Sequence, residues 1–196
     1  MKTLYYIFLS FRPKKLIKNV FVFVPLLFSG LIFDCQLFLR TGEAFLLFSL
    51  FTGVAYLFND VLDKEEDKKH PKKSQRPIAS GNLNTSIALF VSLILIILGL
   101  WLSLEIGLRF AVISVIYLIL NMIYTLWLEH VKYVCSLCAG LSYILRILAG
   151  GAIINLTLNI WYFSFGFVFG LIHSFYKNAF SDEGVKPHIV SNGFSQ

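Results

Sequence analysis

The chain has 196 residues, of which 57% are hydrophobic and only 14% are charged, and its formal net charge is +6. A soluble domain would carry charges on about a quarter of its residues, so this composition excludes a soluble globular protein. Because the basic residues flank apolar runs, they indicate orientation in a membrane and no nucleic-acid partner. The sequence predicts one integral membrane domain over residues 1–178 and a polar C-terminal tail over residues 179–196.

Six long apolar segments follow an N-terminal stretch that we expect to stay on the protein as an interfacial helix. The segments cover residues 20–34, 43–59, 84–104, 108–127, 133–154 and 160–176. A bilayer is crossed by about 20 residues of helix, and continuously apolar runs favour helices over alternating barrel strands. We therefore predict an all-α, polytopic membrane bundle with about six transmembrane helices.

Lysine and arginine are divided unequally between the two sides of this predicted bundle. The stretch before the first segment and the loop after the second are rich in both residues, whereas the opposite loops offer only Arg40 and Arg109. Cytoplasmic loops carry the excess of positive charge. The asymmetry predicts a cytoplasmic N-terminus, a cytoplasmic large loop and a cytoplasmic C-terminus.

Two residues inside the apolar segments are unusual. Pro25 lies within the first segment, where proline is expected to kink a helix. Arg146 lies in the middle of the fifth segment, where an unpaired charge is costly and should face a polar cavity or a carboxylate. Snorkelling of Arg146 to the membrane interface is the alternative.

The long charged stretch after the second segment reads NDVLDKEEDKKHPKKSQRPIASG, from Asn59 to Gly81. On a helix, Asp60, Asp63 and Asp67 fall within about 60° of one another. Carboxylates on one face repel each other unless a cation is present, and hard oxygen ligands suit Mg²⁺. We therefore predict that these three aspartates bind Mg²⁺, while Glu65 and Glu66 point away from it.

Bases follow the acids in the same stretch and suit the phosphates that complete a magnesium shell. Arg76 is able to grip a phosphate with two hydrogen bonds, while Lys72 and Lys73 act as point charges. Metal and bases together would stabilise a diphosphate leaving group. The alternative is a solvated loop whose charges only set the orientation in the membrane.

The pattern N-D-x-x-D-x-x-x-D, which begins at Asn59, closely resembles the first aspartate motif of the UbiA family of membrane prenyltransferases. Two further stretches, FRPKKLIKNVFVFVPLLFS from Phe11 and HPKKSQRPIASG from His70, are similar to the decaprenyl-phosphate phosphoribosyltransferase branch. LRILAGG, which contains Arg146, fits the same branch. The resemblance implies a fold that usually has nine transmembrane helices, of which this chain offers about six, in a bacterial-type plasma membrane.

The resemblance also implies a reaction. Phosphoribose would move from 5-phosphoribosyl 1-diphosphate to a polyprenyl (decaprenyl) phosphate, a step of cell-wall biosynthesis. Asp60 and Asp63 would be the catalytic pair that holds Mg²⁺ on the diphosphate, with Asp67 close by. The implied substrate-binding residues are Lys18, Asn19, Asn59, Lys72, Arg76 and Arg146. Because the acceptor phosphate is already anionic, no protein general base is required.

The chain departs from that branch in the second polar motif. Cys135 stands where an aspartate is usual, and Lys177 is followed by Asn178 where an arginine is usual. Asp182 and Glu183 are the candidates to replace the missing acids. Two alternative functions therefore remain open, namely a prenyltransferase with a prenyl diphosphate donor and an inactive, shortened homologue.

Overall fold

The computed structural model describes residues 2–128 and 132–181, and all regular structure in these ranges is helical. The α-helices are α1 Lys2–Ser10, α2 Val24–Phe28, α3 Cys35–Leu62, α4 Lys64–Lys69, α5 Thr85–Ile106, α6 Leu108–Ile123, α7 Lys132–Ile153 and α8 Ile160–Ser181. Short 3-10 helices occur at Pro13–Phe23, Leu31–Phe33 and Lys73–Gln75, and a π-helical turn, Tyr124–Leu128, extends α6. The predicted all-α class is confirmed.

The first predicted span is not one continuous helix, so the expectation of a kinked helix over residues 20–34 is wrong. The chain is 3-10 helical until Phe23, becomes α-helical in α2, and turns again at Gly30, where φ is 74°. Pro25 lies in the first turn of α2, where its missing N–H removes no hydrogen bond. The segment from Pro13 to Phe33 is therefore short and broken, and it packs against α3 and α7.

The other five predicted segments coincide with helices. In the described part of the chain, four helices are long and apolar enough to cross a membrane, within α3, α5, Leu108–Leu126 and Ser136–Ile153, and a shorter apolar helix covers Ile160–Tyr176. Large apolar side chains such as Phe90, Ile97 and Trp101 are exposed on the outer face of α5. An apolar surface of this extent suits lipid rather than water, and the fold is that of a multi-pass membrane protein.

The aspartate motif lies at the end of α3 and in α4. Asp63 ends α3 and precedes α4, and its N–H donates to the carbonyl of Asn59 at 2.9 Å. The N–H of Asp67 in turn donates to the carbonyl of Asp63 at 2.8 Å. Because these i to i−4 bonds continue across the junction, the chain keeps its helical path from Asn59 to Asp67.

The core joins α3 to α6 and α7. Phe48, Phe51, Phe110 and Tyr117 are almost fully buried there, and their rings pack edge-on or tilted against Phe48. Gly150 of α7 lets the backbone of the Pro13–Phe23 helix approach closely, because a Cβ at this position would lie 1.9 Å from the carbonyl oxygen of Val22. This close approach brings Lys18 and Asn19, which precede Val22, to the helix that carries Arg146.

Candidate functional site: a cationic cavity beside the aspartate motif

A cavity of about 580 Å³ opens between the Pro13–Phe23 segment, α3, α6, α7 and α8. Among the described residues, four lysine and arginine side chains line it, namely Arg12, Lys15, Lys18 and Arg146. Other polar side chains form part of the remaining wall, among them Asn59, Tyr56, Tyr117, Asn121, Tyr143 and His173. The lining residues that the structure describes include none of the three predicted metal aspartates. A wall with this charge suits an anion.

Arg146 is the deepest of the four bases, with 5% of its surface exposed. Its Nε donates to Asn19 Oδ1 at 2.7 Å, its Nη1 to the Ser142 carbonyl at 2.6 Å, and its Nη2 to the Tyr117 hydroxyl at 2.8 Å. All three acceptors are neutral, and no described carboxylate pairs with this guanidinium. Arginine has five N–H donors, so two remain for a ligand. A buried cation held by neutral groups attracts an anion strongly.

A second layer of hydrogen bonds holds the acceptors of Arg146 in place. The hydroxyl groups of Tyr117 and Thr52 lie 2.8 Å apart, and Thr52 also donates to the Phe48 carbonyl at 2.7 Å. Asn19 is fully buried, and its Nδ2 donates to Ser49 Oγ at 3.1 Å. The guanidinium also lies against the Tyr117 ring, 5.1 Å from its centroid. The direction of Arg146 is therefore fixed before any ligand binds.

Arg12 lies at the edge of the cavity in a left-handed backbone conformation, with φ 52° and ψ 63°. Its guanidinium donates from Nη2 to Asp60 Oδ1 and lies 5.0 Å from the centre of the Tyr56 ring. The neighbouring Phe11 packs directly on Gly53, where a Cβ would lie 2.4 Å from Phe11 Cδ2. Left-handed non-glycine residues are uncommon and often mark functional sites.

The aspartate motif forms a second charged cluster, which is buried beside the cavity. Asp60 and Asp67 each expose only 1% of their side chains, and Arg76 lies between them. Arg76 Nη1 is 2.5 Å from Asp67 Oδ2 and 3.2 Å from Asp60 Oδ1. Asp60 and Asp67, two of the three acids that were predicted to share one side, therefore contact the same base, and arginines supply the neutralising charge.

Asp63 and the two glutamates differ from this buried pair. Asp63 is half-buried, and its Oδ2 accepts from Asn59 Nδ2 at 2.7 Å. Glu65 and Glu66 are exposed, as predicted. The Lys68 ammonium donates to Glu65 at 2.7 Å, and this hydrogen bond holds the pKa of the Glu65 carboxyl below its usual range.

The predicted magnesium site falls on this cluster of aspartates. Across residues 2–128 and 132–181, no three histidine, cysteine, aspartate or glutamate side chains converge as a metal site by themselves. The donor chemistry nevertheless fits Mg²⁺, because the cluster offers hard carboxylate oxygens. Asp67 Oδ1 is buried without a hydrogen-bond partner, and Lys73 Nζ lies 3.9 Å from it. Metal coordination by Asp60, Asp63 and Asp67 stays a prediction.

The implied substrate-binding residues fall into three groups. Lys18, Asn59 and Arg146 line the cavity. Asn19 is buried behind it as a partner of Arg146. Arg76 and Lys72 do not line it, since Arg76 is engaged by the aspartates and Lys72 is exposed before the Lys73–Gln75 turn. Asp182 and Glu183 lie outside the described residues, as do the side chains of Cys135 and Lys177.

Several cavity residues were not predicted as site residues. Arg12 and Lys15 counted toward the orientation in the membrane, and Arg12 also toward the family resemblance, but neither was predicted to bind a ligand, although both belong to the same basic stretch as Lys18. Tyr56 precedes Asn59 by one helical turn, so the helical period gives a signal for it. Tyr117 and His173 come from distant helices, and no local pattern places them in the site.

Together, these observations define the class of the protein as a multi-pass helical membrane protein with a cationic cavity beside a helical segment that carries acidic residues. The model of the UbiA prenyltransferase family matches residues 20–183. The chain therefore belongs to the UbiA prenyltransferase family.

Three known proteins illustrate the similarity. A decaprenyl-phosphate phosphoribosyltransferase of Mycobacterium tuberculosis is 32% identical over 78% of this chain and 52% of its own length. The nodulation protein NoeC of Azorhizobium caulinodans is 34% identical over 74% of this chain and 47% of its own length. A solved structure of a digeranylgeranylglyceryl phosphate synthase has a TM-score of 0.72 at 24% identity, over 93% of this chain and 63% of that one. The chain spans about half the length of the two curated relatives.

Proposed function

We propose that the chain binds a phosphorylated donor in the cationic cavity and transfers its 5-phosphoribosyl group to a polyprenyl phosphate. The observation that carries this proposal is the charge of the cavity, with four lining bases and no described lining carboxylate. The similarity to the decaprenyl-phosphate phosphoribosyltransferases supports the choice of donor and acceptor. Phosphoribosyl diphosphate carries anions at both ends of the sugar, and this matches bases distributed along the cavity.

The bases differ in the contact that they offer a phosphate. Arg146 keeps two N–H donors and is already oriented by Asn19 and Tyr117, so it is suited to a fixed, directional contact. Lys15 and Lys18 end in compact ammonium groups on flexible stems and act as point charges. We propose that Arg146 and the two lysines contact different phosphate oxygens of the same donor molecule.

The transfer is a substitution at the anomeric carbon of the ribose. An oxygen of the polyprenyl phosphate forms the new bond to this carbon, while the bond to the diphosphate breaks and its electron pair leaves with the diphosphate. Negative charge therefore grows on the leaving group, and fixed cations placed there lower the barrier. The acceptor oxygen is already anionic, so no side chain has to remove a proton.

Asp60 and Asp63 are the residues that we propose to hold Mg²⁺, with Asn59 beside them and Asp67 close by. Bound Mg²⁺ would supply charge neutralisation to the diphosphate. The side chains themselves provide hard oxygen donors, and Asn59 joins the aspartate motif to the cavity because it lines the wall and contacts Asp63 at 2.7 Å.

The orientation and the position of the lipid belong to the same proposal. The termini and the aspartate motif face the cytoplasm, as the distribution of lysine and arginine predicts. The lipid tail lies between helices within the bilayer, and its phosphate reaches the cavity from the cytoplasmic side. Protease accessibility of residues 64–81 in sealed, oriented vesicles would test this placement.

Membranes that contain the chain should be incubated with labelled phosphoribosyl diphosphate and decaprenyl phosphate. The proposal expects a lipid-linked ribose phosphate whose formation requires Mg²⁺ and stops with EDTA. Transfer from a labelled prenyl diphosphate instead would favour the alternative donor. Absence of both products, with the purified chain folded and still able to bind inorganic phosphate, would favour an inactive homologue.

A further inference from the structure

We propose that Arg12 is a coupling residue: its guanidinium is shared between Asp60 and an anion in the cavity, so anion binding and metal binding strengthen each other. This inference rests on the proposed metal role of Asp60. It adds a positioning role for a residue that the charge pattern alone assigns to membrane orientation.

The first step is the location of Arg12 between two sites. Its side chain lines the cationic cavity and also donates to the buried carboxylate of Asp60. It lies over the Tyr56 ring, as Lys15 does, with Lys15 Nζ 5.4 Å from the ring centroid. A short rotation of the side chain therefore moves its charge between the aspartate and the cavity.

The second step is the charge balance of the aspartate cluster. Asp60 and Asp67 contribute two negative charges, Arg12 and Arg76 contact them directly, and Lys73 Nζ lies 3.9 Å from Asp67 Oδ1. If Arg12 turns to an anion in the cavity, Asp60 keeps Arg76 at 3.2 Å, which it shares with Asp67. The carboxylate of Asp60 then has less compensating positive charge and attracts a divalent cation more strongly.

The third step is the backbone that holds Arg12 at this border. The left-handed conformation of Arg12 is stabilised on both sides, since its N–H donates to the Leu9 carbonyl at 3.1 Å and its carbonyl accepts from Lys15 N at 2.8 Å. Phe11 is anchored on Gly53. The backbone is thus fixed, and the exchange is confined to the side chain, of which 18% is exposed.

The two ligands are coupled as a consequence. An anion that draws Arg12 away removes one of the two arginines that compete with a metal ion for Asp60, and a metal ion that occupies Asp60 releases Arg12 for the anion. Such coupling is reciprocal by thermodynamic necessity. The arrangement favours a donor that arrives as a complex of a divalent cation with a phosphate, because that complex satisfies both sites together.

The test measures Mn²⁺ binding to the purified full chain in detergent, from the electron paramagnetic resonance signal of free Mn²⁺. Inorganic phosphate is the anion probe, and titrations without protein correct for the manganese–phosphate complex. In the wild-type chain, phosphate should tighten Mn²⁺ binding at least about fivefold. Absence of this tightening, with Mn²⁺ bound, overturns the coupling without any variant.

Arg12→Gln should bind Mn²⁺ at least about fivefold more tightly than wild type in the absence of phosphate, and phosphate should have no further effect. Lys14→Gln is the matched control, because it removes one positive charge from an exposed position in the same stretch. Equal tightening in both variants would mean a general charge effect and would overturn the proposal.

Asp60→Asn separates this inference from the proposed function. If Mn²⁺ binding is lost in Asp60→Asn but is unchanged in Arg12→Gln, the metal assignment stands and the coupling is wrong. If Mn²⁺ binding is the same in Asp60→Asn as in wild type, the metal assignment fails and the coupling fails with it.

Discussion

Arg146 and Arg76 are the centres of two clusters in the described part of the chain, and these clusters are built on opposite principles. Arg146 is held by Asn19, Tyr117 and a backbone carbonyl, all of them neutral, so its positive charge stays uncompensated. Arg76 lies between Asp60 and Asp67, and its charge is balanced within the cluster. The difference shows that the presence of a base in a polar cluster does not identify a ligand contact. The charge of its partners decides whether the base remains available.

This difference matters more in a membrane protein, because a charged side chain is costly to bury there. A charge removed from water is tolerated where it is paired, hydrogen-bonded, or adjacent to a water-filled cavity. The aspartate cluster meets the first condition, and Arg146 meets the second and lines the cationic cavity. The comparison predicts that variants of the aspartate cluster change metal binding, whereas variants around Arg146 change anion binding.

The largest effect is expected for Asp63→Ala and Asp60→Ala. Loss of a carboxylate from the proposed metal site should lower Mg²⁺-dependent transfer about a thousandfold, measured by formation of the labelled lipid product. Asp63→Ala is the more informative variant, because Asp63 is half-buried whereas Asp60 is a buried ion-pair partner. Near-normal transfer by both variants would remove the metal assignment.

Gly150→Ala tests how the Arg146 cluster is assembled. A Cβ would overlap the Val22 carbonyl oxygen at 1.9 Å, and forced overpacking costs about 3 kcal/mol. The unfolding midpoint should fall, and phosphate affinity should fall with it because Asn19 is displaced. Gly42→Ala, where nothing lies within 4 Å of the added Cβ, should be neutral or stabilising by about 0.5–1 kcal/mol.

Arg146→Lys keeps the positive charge but removes the planar set of donors. A hydrogen bond to a charged group contributes about 2 kcal/mol, so inorganic phosphate should bind roughly thirtyfold more weakly, measured by calorimetry. Arg109→Lys is the matched control, since Arg109 is exposed and lines a different, mainly apolar groove. Equal affinity in wild type and Arg146→Lys would contradict the fixed phosphate contact.

Tyr117→Phe removes only the hydroxyl that joins Arg146 to Thr52. We expect a loss of about 1 kcal/mol in phosphate binding, because the guanidinium loses one of three anchors while its charge stays. Manganese binding without phosphate should not change. A larger effect on Mn²⁺ than on phosphate would show that the two clusters are not organised separately.

The smallest effect is expected for Glu65→Gln, which removes an exposed partner of Lys68. Exposed ion pairs contribute little to stability, so the unfolding midpoint at neutral pH should match wild type. The pKa of Glu65 is lowered in the folded chain, so any contribution is present above the unfolded pKa and is lost as pH falls through the folded value. Transfer activity in this variant should also stay at the wild-type level.

Much of the fold follows from local sequence. Continuous apolar runs predicted five of the helices, because membrane helices satisfy their backbone hydrogen bonds internally and must expose apolar side chains to lipid. The prediction of one helix over residues 20–34 was wrong. The segment is apolar, as a membrane helix would be, but Pro25 and Gly30 divide it into short turns that pack on α3 and α7.

The site was only partly accessible from the sequence. The helical period placed Asp60 and Asp67 on one side of the chain, since that relation is local. Asp60 pairs with Arg12, which is 48 residues away in the sequence, and Asp67 pairs with Arg76, which is 9 residues away. Only the folded structure shows which base contacts which acid. The same holds for the bonds between Arg146 and Asn19, which are 127 residues apart.

By itself, the sequence determined the membrane setting, the helical class and the family motif, because hydropathy and helical periodicity are properties of neighbouring residues. Tertiary structure decided which charges are available. It paired Arg76 with the aspartates and left Arg146 among neutral acceptors at the cavity wall. That distinction depends on the distance and burial of side chains from separate helices, and these quantities exist only once the helices have packed.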